Sequence, residues 1–184
     1  VSAARAAYLA GFTATSNLEA GYRYDLKTVG TSAHAFTLLH DDEEAAFRSQ
    51  LETMGVGTTL LVDTFDITKG VENALAVAGT ELGGVRIDSG DLGIVSRRVR
   101  KQLDAAGAFN TRIIVSSDLD EFAIAGLRGD PVDGFGVGTS VVTGSGAPTA
   151  GLVYKLVEVE GHAVAKRSSG KVTYGGGKSA LRAY

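Results

Sequence analysis

At 184 residues and 19.0 kDa the chain has the length of about one domain. Its 44% hydrophobic and 21% charged residues fall near globular averages and argue against intrinsic disorder. Eighteen basic against 21 acidic residues leave a net charge of −3, unlike a nucleic-acid binder, and the absence of cysteine removes disulfides, thiolate metal sites and a Cys nucleophile.

No apolar run nears the ~18–20 residues that span a bilayer, so no membrane partner is expected. Segment 1–10 has neither an initiator Met nor a basic leader region and does not read as a signal peptide. Residues 1–184 read as a single α/β region taken from a longer chain. Glycine alone departs from average composition, with 25 residues, roughly twice the ~7% norm. Its members sit at the ends of elements, where tight turns and close backbone approach need them.

In chain order, GFTAT (11–15) and KTVGT (27–31) predict two strands, each followed by a helical stretch. Residues 41–53 predict a helix opened by Asp41 and Glu44 at capping-box spacing, with Asp42 and Glu43 adding first-turn acidity. Phe47, Leu51 and Met54 are its expected apolar stripe. From residue 56 a unit repeats: an apolar run, a polar cluster, then a helical pattern. The runs are 58–63, 83–88, 111–117 and 133–138, with helical patterns at 71–79, 92–106 and 121–129. Short β-branched runs joined by helices are βαβ units of a parallel sheet. In 92–106, Leu92, Val95, Val99 and Leu103 form one face, and Arg97, Arg98, Arg100 and Lys101 are expected on a solvated one. Residues 152–166 differ, predicting an added β-hairpin that turns at Glu160-Gly161. About six parallel strands are too few for a closed eight-stranded barrel of ~250 residues. A partial irregular (β/α) barrel is therefore expected in preference to an open α/β sheet.

Ligands of parallel α/β folds bind at the carboxyl ends of the strands, where loops and helix N-termini converge. Those ends are Thr15-Ser16-Asn17, Gly30 to His34, Asp63 to Asp66, Arg86 to Asp91, Ser116-Ser117-Asp118 and Gly136 to Thr139, all polar, small or charged. Asp63 and Asp88 end successive strands and should share one mouth, where carboxylates hold ribose hydroxyls or Mg²⁺. The plain alternative, helix capping, applies to Asp91 and Asp118 as readily as binding does. Arg86, two residues before Asp88, faces the same way and suits either a structural ion pair or a planar contact to a ring or carboxylate. Gly136, Gly138 and Thr139 suit backbone N–H groups closing on a phosphate, or a simple turn. His34 opens a helical stretch beside two hydroxyls. It reads as a partly buried structural histidine or as a nucleophile toward phosphate. His40 and His162 lack such surroundings and are expected at the surface.

Taken together, GFTATSNLEAG (11–21), GTSAHAF (30–36), VDTFD (62–66), RIDSGDL (86–92), SSDLDE (116–121) and GVGT (136–139) resemble nicotinate phosphoribosyltransferase of the bacterial type. The likeness implies an irregular α/β barrel of the nicotinate/quinolinate phosphoribosyltransferase kind, assembled as a cytoplasmic homodimer with sites near the subunit interface. The implied reaction joins nicotinate to phosphoribosyl diphosphate, giving nicotinate mononucleotide and pyrophosphate, with ATP hydrolysis coupled. On that likeness, His34 is the histidine that ATP phosphorylates. Asp63, Asp88 and Asp118 surround ribose and Mg²⁺, and Ser89 and Ser117 bind substrate. Thr31 binds substrate, Gly138 and Thr139 cradle the 5′-phosphate, and Arg86 contacts the pyridine ring. Ser16, where nicotinamide-using relatives look to carry Asp, is a neutral hydroxyl suited to an acid substrate. The pattern departs at Ala35, where family members commonly have Ser. The quinolinate enzyme would want more basic residues for its second carboxylate. A phosphosugar-binding or structural fragment with an inert His34 is the non-enzymatic alternative.

Overall fold

A computed structural model of the chain describes residues 1–144, 146–167 and 173–182. Four parallel strands, β1 (Thr59–Leu61), β2 (Gly84–Ile87), β3 (Arg112–Ser116) and β4 (Gly134–Gly136), lie side by side in sequence order. Helices α5 (Ile67–Ala78), α6 (Leu92–Ala105) and α7 (Glu121–Gly126) make the crossovers. An unreversed strand order is that of a barrel wall; a doubly wound sheet reverses at a switch point. The expected α/β class with a parallel sheet is what forms. Among the described residues the sheet is open, with β1 and β4 at its edges.

The period-2 alternation of the strands divides it into two faces. Leu60, Val62, Val85, Ile87, Ile113 and Val115 meet the helices in one apolar cluster with Phe47, Val71, Ala74, Val95, Val99 and Leu103. On the opposite face Leu61, Arg86, Ile114 and Gly134 stand in register. That second face carries the chemistry.

Helix α6 buries Val95, Val99 and Leu103 as expected, together with Gly93 and Ser96. Its basic residues are not all simply solvated. Arg100 donates to the carbonyls of Ala108 (2.8 Å) and Thr111 (2.7 Å), tying the helix end to the approach of β3, and Arg97 pairs with Asp130. Helix α4 (Glu43–Met54) is capped by Asp42, which accepts from the Ala45 N–H at 2.7 Å, and not by Asp41. Its buried side is Glu43, Ala46, Phe47 and Gln50, while Met54 is exposed. Helix α5 starts earlier than its apolar pattern, at Ile67, because Asp66 accepts from Lys69 N–H.

The two N-terminal strands do not form. Residues 11–15 and 27–31 contribute a single parallel bridge, Thr15 to Thr28, and helices α1 (Ser2–Leu9) and α2 (Leu18–Tyr24) flank it. The hairpin is shorter than its predicted span: β5 (Glu158–Val159) pairs antiparallel with β6 (His162–Ala163), and 152–157 is irregular. His162 is exposed, but His40 is not a free surface residue. Its ring packs against Phe36 with centroids 4.6 Å apart and planes tilted by 55°, and its Nδ1 lies 2.8 Å from the Phe36 carbonyl within α3 (His34–Leu38). No helix of the described residues is long and apolar enough to cross a membrane.

Two close approaches set stability. At Gly70 a Cβ would meet the Val62 carbonyl oxygen at 2.2 Å, so α5 can lie this near β1 only with glycine there. Glu43, 5% exposed, receives a hydrogen bond from Asn73 of α5 on Oε2, while Oε1 has no partner among the described residues. Burial pushes its carboxyl up to about 7, helped by the charges of Asp63 and Asp66 and opposed by the Asn73 bond. The unfolded chain loses this proton near 4.5 and the folded chain near 7, so this group's contribution to stability falls as pH rises through that window.

Gly70→Ala gains about 1 kcal/mol of helix propensity but must push α5 off a backbone oxygen, and overpacking of this kind costs about 1–3 kcal/mol. A net drop in the urea midpoint is expected, and an unchanged midpoint would show that the spacing is not needed. Glu43→Gln keeps an acceptor for Asn73 and removes the buried charge. It should stabilise the chain by about 1–2 kcal/mol at pH 8 and by nearly nothing at pH 4.5 in paired thermal melts.

Candidate active site

The carboxyl ends of β1, β2 and β3 open into a cleft of about 1200 Å³. His34, Asp88, Ser89, Ser117, Thr139 and Lys166 are among the residues lining it. His34 is the first residue of α3, which holds its ring over the strand ends. Nε2 lies 2.7 Å from Lys166 Nζ, 3.6 Å from Asp88 Oδ2 and 4.0 Å from Asp63 Oδ1, while Nδ1 lies 3.1 Å from Thr64 Oγ1. A lysine ammonium has donors only. At 2.7 Å it requires Nε2 to accept, which puts the ring proton on Nδ1, where it is donated to Thr64. His34 is then a neutral imidazole.

Asp63 has a side chain with no exposed surface. Its Oδ2 accepts from the Asp88 N–H at 3.1 Å and from the Ser89 hydroxyl, and Lys166 Nζ stands 3.6 Å away. This carboxylate fastens the end of β1 to the loop after β2. It caps no helix; that task falls to Asp66. Asp88 accepts from the Ser116 hydroxyl at 2.7 Å and faces Arg86 at 3.8 Å and Lys166 at 4.0 Å. Burial would raise its pKa, yet contact with His34, the Ser116 hydrogen bond and the charges of Arg86 and Lys166 hold it at about 2.

Arg86 is locked by three contacts. Its Nε donates to Ser116 Oγ at 2.9 Å, one terminal nitrogen donates to Thr31 Oγ1, and the other faces Asp88. Two cations, two carboxylates and a neutral ring thus balance in one partly buried cluster, the condition under which buried charges are tolerated.

Of the residues singled out in sequence, His34, Thr31, Asp63, Arg86, Asp88 and Ser89 come together in this network. Ser117 and Asp118 lie exposed on the wall of the cleft, Ser117 with φ of 144°, a costly conformation for a residue with a Cβ. Asp118 caps nothing; Asp120 caps α7 through the N–H groups of Phe122 and Ala123. Thr139 lines the cleft, and Gly138 precedes α8 (Thr139–Thr143). Ser16 is exposed and outside the lining. Thr64 and Ser116 belong to the polar strand ends without an individual role in the sequence, and Lys166 lies outside them. Strand alternation favours Ser116 over Ser117, since Ser116 shares the face of Ile114 and Arg86. Nothing local points to Lys166, which arrives through the backbone bond from Arg167 N–H to the Thr64 carbonyl at 2.9 Å.

As a resident metal site the cluster fits poorly. Among the described residues no three His, Asp or Glu side chains gather at ligating distance, and Lys166 already stands between the two carboxylates. Mg²⁺ suits this place only as a companion of bound phosphates, which commonly supply most of its ligands.

No family model matches the chain. It is 63% identical over 190 aligned residues to a nicotinate phosphoribosyltransferase of Mycobacterium tuberculosis, covering 99% of this chain and 42% of that protein. The nicotinate phosphoribosyltransferase of Bacillus subtilis is 45% identical over 166 residues, 85% of this chain and 34% of the relative. Among solved structures, nicotinate-nucleotide pyrophosphorylase from Pyrococcus furiosus superposes with a TM-score of 0.69 at 30% identity, covering 92% of this chain and 44% of that one. A putative nicotinate phosphoribosyltransferase from Saccharomyces cerevisiae gives 0.60 at 25% identity, covering 71% and 36%. The chain spans about two-fifths of the length of the curated relatives it matches. Over that stretch, in sequence and in fold, it belongs to the nicotinate phosphoribosyltransferase family.

Proposed function

We propose that the protein carrying this chain joins nicotinate to phosphoribosyl diphosphate, releasing nicotinate mononucleotide and pyrophosphate for NAD salvage. The reaction is coupled to ATP hydrolysis through phosphorylation of His34. The observation that carries this reading is one imidazole within 4.0 Å of two carboxylates and a lysine at the floor of a cleft. An imidazole needs its neutral form to attack phosphorus, and the 2.7 Å contact from Lys166 supports that form.

Departure of pyrophosphate leaves positive character on C1 of the ribose. Asp88, anionic down to about pH 2, is a fixed negative charge suited to that developing cation. Arg86, held flat by Thr31, Ser116 and Asp88, presents a planar cation suited to an aromatic ring. Ser89, Ser117, Asp118 and Thr139 supply polar groups along the wall for sugar and phosphate. Gly138, at the turn before Thr139, leaves room for a phosphate oxygen beside the backbone. Mg²⁺ enters in this reading with the polyphosphate substrates. Exposed Leu9, Leu18 and Tyr22 on α1 and α2 favour a homodimer, and the reading puts the enzyme in the cytoplasm. Ser16 stands apart from the cluster, so its role as selector of an acid substrate rests on the sequence resemblance.

Incubation of the full-length protein with labelled ATP should give acid-labile, base-stable phosphate that disappears in His34→Ala. Absence of label in the native protein would remove the ATP-coupled mechanism. Ser16→Asp should lower the ratio of nicotinate to nicotinamide turnover by about tenfold, one charge–charge repulsion's worth. An unchanged ratio would strike Ser16 from the specificity determinants.

A further inference from the structure

Lys166 does more than neutralise acids. Its ammonium occupies the one lone pair through which His34 can act as a nucleophile, because Nδ1 carries the proton held by Thr64. Thr64 is fully buried and grips both partners: its hydroxyl meets the ring, and its carbonyl accepts from Arg167, the residue after Lys166. Lys166 is also 3.6 Å from Asp63 and 4.0 Å from Asp88, and it lines the cleft. An ammonium on a flexible stem has an easy alternative partner whenever a polyphosphate enters.

We propose that Lys166 masks Nε2 of His34 in the free protein and that an incoming polyphosphate draws the ammonium away, so the imidazole becomes nucleophilic only when a phosphate chain is in place. This rests on the phosphohistidine reading above and adds its control. Once Lys166 sits on phosphoryl oxygens, the Nε2 lone pair forms a bond to the γ-phosphorus of ATP. The bond from that phosphorus to the bridging oxygen breaks, and its electron pair leaves on ADP. Nδ1 keeps its proton on Thr64, and the ring becomes an imidazolium beside Asp63 and Asp88. Charge balances, since a neutral ring and ATP⁴⁻ give a phosphohistidine of net −1 and ADP³⁻. Thr64 Oγ1 accepts the Nδ1 proton in the tautomer that Lys166 selects, and so favours Nε2 as the attacking nitrogen. Lys166 and Thr64 are positioning residues here.

Phosphoramidate, a phosphoryl donor with no polyphosphate chain, separates masking from simple charge neutralisation. In the full-length protein Lys166→Met should be phosphorylated by phosphoramidate about tenfold faster than native, the worth of one hydrogen bond from a charged donor, and by ATP about tenfold more slowly. Equal or slower phosphoramidate labelling in a variant that melts like native overturns the mask. The phosphohistidine isomer, read by ³¹P NMR, should be Nε2 alone in native and Thr64→Ser, and mixed in Thr64→Val. A single isomer in Thr64→Val overturns the role of Thr64. A measurement on the unaltered protein covers the case in which Lys166→Met does not fold. The ¹⁵N resonance of His34 Nε2 should move downfield on adding pyrophosphate as its hydrogen bond is lost, and a stationary resonance overturns the proposal. If native protein takes no phosphate from ATP while Lys166→Met still gains on phosphoramidate, the ATP coupling falls and the mask stands.

Discussion

A carboxyl group with no exposed surface is the constraint around which this corner of the molecule is arranged. Asp63 has lost its water, and a charge in that position must be compensated by geometry. It takes the backbone N–H of Asp88, the hydroxyl of Ser89 and the ammonium of Lys166. Those three partners, all on Oδ2, come from two separate stretches of chain, so compensating one oxygen fixes the end of β1, the loop after β2 and the segment beyond the hairpin, while Oδ1 has no hydrogen-bond partner among the described residues. His34 is then confined between Thr64 and Lys166 with little freedom to turn.

The sheet allows this because its two faces have different tasks. The helix-facing side is continuous apolar packing from Leu60 to Val115, with Gly70 letting α5 approach closely. Polar residues are gathered on the other side, and mostly at one end. Arg86 and Ser116 form a chain of hydrogen bonds ending at Asp88, so the reactive end is positioned by a rigid scaffold and not by its own loops.

What was legible in the sequence follows from how local each cause is. Strands β1 to β4 and the polar residues at their ends could be read from β-branched runs ended by acids and glycines. Each such run pairs with neighbours on the same pattern. The stretches 11–15 and 27–31 carry similar residues but have only each other, and a single bridge is what two such segments can form. The cap of α4 was misplaced by one residue because Asp41 and Asp42 are both good caps. Asp42 has the extended backbone that brings its oxygen to the Ala45 N–H. Strand alternation puts Ser116 on the face of Arg86, and Ser117, with φ of 144°, lines the cleft one residue later. Lys166 left no trace, because nothing around it in sequence reveals that Arg167 hydrogen-bonds to Thr64.

The lysine and the histidine it meets are 132 positions apart. Contacts of such long range form late, after chain entropy has already been surrendered elsewhere. During synthesis the strands bearing Asp63 and Asp88 leave the ribosome long before their counter-ion does. The sheet can therefore take shape early, but the reactive corner stays electrostatically incomplete until almost the whole stretch has been translated.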